Sequence, residues 1–220
     1  MRVEIFYDTS CSWSRLGRIN FGKAVSKLEK EGKINPDELE IIYRSYVNYP
    51  DVPEAGLDYR QALLDGGDLE KVDPKHNTPI HRWGRRAGIE FNFEKIKIRP
   101  NTFLAHQFLQ MFLREKKGDF EQLLSDIQFE YFENGTNING LDKVVELSRK
   151  YIGFDKSEEL RRRALHGECK ADVDEDIEIA DNYNISLVPL YVFDGKVKLE
   201  GGILQEKFED ALLRNIEPNI

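Results

Sequence analysis

The sequence predicts an α/β fold in which strands at the two ends of the chain share one sheet and a helical block is inserted between them. Three observations carry this reading. A strand–helix–strand succession fills the first 47 residues, and two β-rich runs joined by Asp194-Gly195 precede a final helix. The long stretch between these ends shows mostly helical periodicity. At 220 residues the chain can bury a sizeable core, as one elaborated domain or as a domain carrying a large insertion.

Residues 2–7 read as the first strand, because Val3, Ile5 and Tyr7 alternate with Arg2, Glu4 and Phe6 and make one face more apolar. A helix follows to about Glu31, with Ser10 or Ser12 as its N-cap, Leu16, Ile19, Ala24 and Leu28 at helical spacing, and Gly32 closing it. Leu39 to Tyr46 is rich in β-formers and reads as the second strand, which makes the opening a right-handed βαβ unit. The stretch from Asn48 to Asn77 holds Pro50, Pro53, Gly56, Gly66, Gly67 and Pro74 and reads as a surface connection with one short helix at Tyr59–Leu64. Connections this long tend to be functional or mobile.

Three apolar stripes then mark helices: Leu104, Phe108, Met111 and Phe112; Phe120, Leu123, Leu124, Ile127 and Tyr131; Leu141, Val144, Val145, Ser148 and Ile152. Two more helices span about 157–166 and 170–183. The aromatic residues in the stripes read as core packing. Leu190 to Phe193 and Lys196 to Leu199 flank Asp-Gly as a hairpin, and a last helix over about 205–215 turns Phe208 and Leu212 inward. The expected organisation is a discontinuous sheet domain at 1–50 and 177–220, with the connecting loop and helical insertion at 51–176.

The net charge of −8 argues against a general nucleic-acid binder, which needs a basic face. No apolar run approaches the ~18 residues of a membrane span. The N-terminus reads as a strand containing Glu4 rather than a signal peptide, and two cysteines do not make a secreted disulfide framework. These features lead to the expectation of a cytoplasmic protein. There is no Walker or Gly-x-Gly-x-x-Gly motif. The histidines form no metal site, since His76 and His81 lack partners at ligand spacing, and His106 reads as a satisfied packing residue.

The segment that carries chemistry is Phe6-Tyr7-Asp8-Thr9-Ser10-Cys11-Ser12-Trp13-Ser14, after a strand and at the head of a helix. A helix start presents unpaired N–H groups and a partial positive charge, both of which favour a thiolate. The thiolate is the nucleophile, so this position is expected to lower the Cys11 pKa, helped by the hydroxyls of Ser10, Ser12 and Ser14. The plainer alternative is a small buried hydrophobe. A cysteine at position 14 would complete a dithiol motif, but Ser14 stands there. Trp13 supplies an apolar flank for docking a peptide or for packing. Cys169, between two helices, is either a half-buried structural thiol or a distant resolving thiol, which would need Cα atoms within about 7 Å.

Together with Asn184-Ile185-Ser186-Leu187-Val188-Pro189 before the hairpin, this segment resembles the thioredoxin fold. The helical insertion resembles the DsbA family, and specifically its FrnE-like branch, over essentially the whole chain. Further landmarks are Arg82-Trp83-Gly84-Arg85-Arg86-Ala87-Gly88-Ile89, Asn101-Thr102-Phe103-Leu104-Ala105-His106, Phe132-Glu133-Asn134-Gly135 and Ala180-Asp181-Asn182-Tyr183. The resemblance implies that Cys11 is the nucleophile, that Ser14 replaces the resolving cysteine, that Pro189 follows a cis bond, and that the Val188 backbone faces substrate.

The implied activity is thiol–disulfide exchange with a thiol- or disulfide-containing protein or peptide, with no bound cofactor and with glutathione as a co-substrate. A serine cannot attack a mixed disulfide, so a monothiol would wait for an external thiol. Ser14 is either natural to a monothiol member or a Cys→Ser change that traps intermediates. Two other readings stand beside this one. Kappa-type glutathione transferases and 2-hydroxychromene-2-carboxylate isomerases use a serine in this region to orient a glutathione thiolate, although Cys11 departs from that pattern. A non-catalytic adaptor could instead hold a peptide beside Pro189.

Overall fold

A four-stranded sheet in the order β2-β1-β5-β6 is the frame on which the rest is hung, in a computed structural model that describes residues 1–72, 77–115 and 119–216. Pro74 and His76 lie outside the described residues. Strand β1 (Arg2–Tyr7) leads into helix α1 (Ser12–Lys30), and β2 (Glu40–Ser45) returns parallel to β1 with Val3 opposite Ile41 and Ile5 opposite Tyr43. The chain re-enters the sheet at β5 (Leu190–Phe193), antiparallel to β1, and turns into β6 (Val197–Glu200) before α8 (Gln205–Ile216). The hairpin turn has positive φ at both Asp194 and Gly195, the type I′ geometry that matches strand twist.

Because α1 and α8 cover one face of β1 and a helix of the insertion packs on the other, every residue from Val3 to Tyr7 is buried rather than one alternating set. Val3 and Ile5 pack with Phe21, Leu28, Phe208 and Leu212 of α1 and α8. Phe6 faces the other way, with Val188, Leu190, Val192 and Ala180. Glu4 is tolerated in this central strand because Arg44, Arg2 and the Tyr183 hydroxyl hydrogen-bond its carboxylate.

Between β2 and β5 the described chain is mostly helical. Strand β3 (Leu57–Asp58) precedes α2 (Tyr59–Asp65), then α3 (Pro79–Ala87), β4 (Ile98–Arg99), α4 (Phe103–Glu115), α5 (Phe120–Phe129), α6 (Asp142–Leu165) and α7 (Lys170–Asn182). Their apolar stripes meet in one cluster that includes Phe91, Phe93, Phe108, Phe112, Leu123, Ile127, Tyr131 and Val144. Two helices expected over 141–152 and 157–166 run on as α6, bent where Gly153 takes φ 76 and ψ 172. Residue 177, where the sheet domain was expected to resume, lies inside α7, whose Asp176 bonds Arg44 and the Ser45 N–H of β2. The short β3–β4 pair, α3, and the π-helical turn Glu130–Asn134 carry no clear sequence periodicity and were not expected.

Candidate active site

The junction of β1 and α1 and the loop before β5 meet at Cys11. The thiol is itself the N-cap of α1, in place of the expected Ser10 or Ser12, and its sulfur accepts from the Ser14 N–H at 3.4 Å. Ser12 is already helical, while Ser10 turns its N–H and hydroxyl to Asp8 at 2.7 and 2.9 Å. The Val188–Pro189 peptide bond is cis, and the Cys11 thiol donates to the Val188 carbonyl at 3.4 Å. Three of the expected residues, Cys11, Val188 and Pro189, are thus brought together from opposite ends of the chain. Gly17, further along α1, permits this approach. A Cβ there would lie 2.9 Å from Pro189 Cγ and 3.0 Å from the Tyr191 hydroxyl.

Ser14 is fully buried under the thiol, and its Oγ accepts from the Asp8 N–H at 3.4 Å. Trp13 flanks the opening. Its ring meets Trp83 edge-on at 5.8 Å and lies so close to Gly202 that a Cβ there would come within 2.6 Å of it. Trp13 therefore packs while still lining the cleft.

The electrostatics correct one expectation. Burial pushes the Cys11 thiol pKa up rather than down, and the neighbouring Asp8 adds to this, while the Ser14 hydroxyl and the Ser14 and Trp13 N–H groups oppose it. Cys11 is only 8% exposed, and loss of water outweighs the few donors a helix start supplies. The resting group is a thiol, as its bond to the Val188 carbonyl requires.

A cleft of about 290 Å³ opens beside Cys11, lined by Cys11, Trp13, Val188, Asn48, Tyr49, Lys71 and Arg99 among others. Asp8 is the residue whose role the sequence did not reveal. Fully buried, its carboxylate accepts from Ser10, from the Asn48 N–H at 2.7 Å and from the Thr102 hydroxyl at 3.1 Å, tying the cysteine loop to β2 and α4. An Asp two positions before a Ser at a strand end was the available signal, since such side chains bond their own backbone two residues on. Asn48 and Tyr49 follow the carboxyl end of a parallel strand, where α/β sheets place their sites.

Cys169 is unpaired and fully buried in the insertion core, a different cluster from that of Cys11, and its pKa is pushed up to about 11 by burial and Asp172. His106 is buried against Tyr7 at 5.2 Å. It packs there as expected, with the Tyr46 backbone carbonyl drawing on a ring N–H, although the contact falls outside strict hydrogen-bond geometry. Burial lowers its pKa, so the ring is neutral. His81 bonds the Thr78 hydroxyl at the head of α3.

Comparison with known proteins agrees with this geometry. The DSBA-like thioredoxin domain matches residues 2–213. The chain belongs to that DsbA-like family. As a DsbA-like protein it is similar in structure to the probable DsbA oxidoreductase SCO1869 from Streptomyces coelicolor, with a TM-score of 0.82, 22% identity, and 100% of this chain and 92% of that chain covered. It is also similar to the cytosolic disulfide reductase DsbM from Pseudomonas aeruginosa, with a TM-score of 0.68, 12% identity and 98% of each chain covered. A further structure of DsbM contains GSH. A 2-hydroxychromene-2-carboxylate isomerase matches with a TM-score of 0.62 and 17% identity, covering 97% of this chain and 95% of that one. At these identities the likeness of this DsbA-like chain to each structure is one of fold. No curated protein matches the sequence. Among the described residues no helix is long and apolar enough to cross a membrane.

Proposed function

We propose that this DsbA-like protein is a monothiol thiol–disulfide oxidoreductase in which Cys11 is the nucleophile. The observation that carries the reading is the position of the Cys11 sulfur, against the Val188 carbonyl at the cis Pro189 and at the mouth of a cleft. On ionisation the thiolate attacks one sulfur of a disulfide. A new S–S bond forms to Cys11, the old one breaks, and the other sulfur leaves as a thiolate. A second thiol, glutathione in this proposal, then attacks the mixed disulfide, forms its own S–S bond and returns Cys11. Ser14 cannot perform that attack. Its hydroxyl acts on the Cys11 thiolate instead, lowering the cost of ionisation. Trp13 and Leu187, the latter 62% exposed beside Val188, provide an apolar rim for a peptide.

Two unpaired cysteines and dependence on an external thiol suit a reducing compartment such as the cytosol. The test is glutathione-dependent reduction of a small neutral disulfide. The wild-type protein should turn over, and Cys11→Ser should lose the activity while keeping its fold. Equal rates would favour the adaptor reading. Glutathione conjugation or isomerisation with no disulfide turnover would favour the transferase reading.

A further inference from the structure

Among the described residues, the cleft at Cys11 contains one cation without an anionic partner. Lys71, in the same cleft, is paired with Asp68 at 2.6 Å. The Arg99 side chain makes no ion pair and no hydrogen bond among the described residues; its contacts are aromatic. The guanidinium lies over the Tyr49 ring at 4.3 Å from the centroid, with Tyr59 at 5.9 Å. In a chain of net charge −8, a half-buried and unpaired arginine beside a nucleophile stands apart.

Its backbone is fixed as well. Arg99 sits on β4 opposite Leu57, and a Cβ on Gly56 would come within 3.0 Å of the Arg99 carbonyl, so only glycine lets the two strands approach this closely. A guanidinium held over an aromatic face keeps its in-plane N–H fork free. That fork matches a carboxylate in two parallel hydrogen bonds. Tyr49, Arg99 and Cys11 all line the one cleft.

We propose that Arg99 is a specificity-determining residue that binds a carboxylate of the small thiol or disulfide reacting with Cys11. The partner is therefore an anionic thiol peptide of the glutathione class rather than a neutral thiol. This rests on the exchange chemistry proposed for Cys11. The step is the attack of the Cys11 thiolate on glutathione disulfide, giving Cys11–S–S–glutathione and releasing one glutathione thiolate, with Arg99 holding the carboxylate of the retained half.

The experiment compares glutathione disulfide with bis(2-hydroxyethyl) disulfide, which has no carboxylate, as reactants for the full-length protein. Rates of mixed-disulfide formation are followed by intact mass. Wild type should prefer glutathione disulfide, and in Arg99→Gln that preference should fall about tenfold, the scale of one charge-assisted hydrogen bond. Arg99→Lys should restore part of it, because it keeps the charge and loses the fork. An unchanged preference in Arg99→Gln, with both disulfides still reacting, overturns the Arg99 assignment alone. Failure of Cys11 to react with either disulfide overturns the underlying exchange reading.

Discussion

At Cys11, burial and hydrogen bonding act on the thiol in opposite directions, and burial prevails. The folded pKa is therefore above the ordinary thiol value of about 8.5. The folded form holds this proton more tightly than the unfolded form. That contribution to stability is complete below the unfolded pKa and is lost as pH rises through the folded one. The alkylation rate of Cys11 should accordingly keep rising with pH past the range of a free thiol. Ser14→Ala should move the midpoint higher still, because a donor to the thiolate is removed; a midpoint that stayed put would deny Ser14 this role. Cys11 should also alkylate faster than Cys169 in the native state, since Cys11 opens on a cleft and Cys169 is 0% exposed. Peptide mapping after brief iodoacetamide treatment at neutral pH checks this, and equal labelling would contradict it.

At the scale of elements, the site depends on how closely α1 approaches the loop before β5. Gly17→Ala would force a Cβ onto Pro189 and Tyr191, and overpacking of this kind costs about 1–3 kcal/mol, to be read as a lower urea midpoint with unchanged slope. A midpoint equal to wild type would show that the loop yields easily. The sequence made the outer elements legible because their signals are local: alternation in Leu190–Phe193, the Asp-Gly turn, and the Leu16–Leu28 stripe. The N-cap was misassigned because serine is the usual cap, whereas here the Ser10 side chain is drawn to Asp8 and leaves the position to Cys11. Strands β3 and β4 are two residues each, too short to show any period, and so Arg99 could not be placed in the cleft of Cys11 from sequence. The direction of the Cys11 pKa shift was likewise unreadable, because desolvation depends on tertiary packing rather than on the helix start.

For the whole molecule, the inserted helices are tied to the sheet frame by ion pairs from two buried arginines of α1. Arg15 pairs with Glu133 and Arg18 with Glu121, and Arg18 also bonds Gln128 at 2.9 Å. Both arginines are buried, so removing a partner leaves a charge stranded. Glu133→Ala should destabilise the protein by about 3–5 kcal/mol in chemical denaturation, and a loss under about 1 kcal/mol would show that the pair is no structural tie. Holding α1 in place also holds the thiol at the cleft, which links this scale to the chemistry. In the proposed chemistry Cys11 alone exchanges, and Ser14 is why its adduct persists. The most direct test is site-mapped intact mass after incubation with glutathione disulfide, for wild type and Ser14→Cys. Wild type should carry one glutathione on Cys11, and in the variant an internal disulfide between positions 11 and 14 should replace it, since a thiol held nearby has a high effective concentration. Adducts on Cys169, no adduct on Cys11, or a Cys11 adduct equally persistent in Ser14→Cys would contradict it.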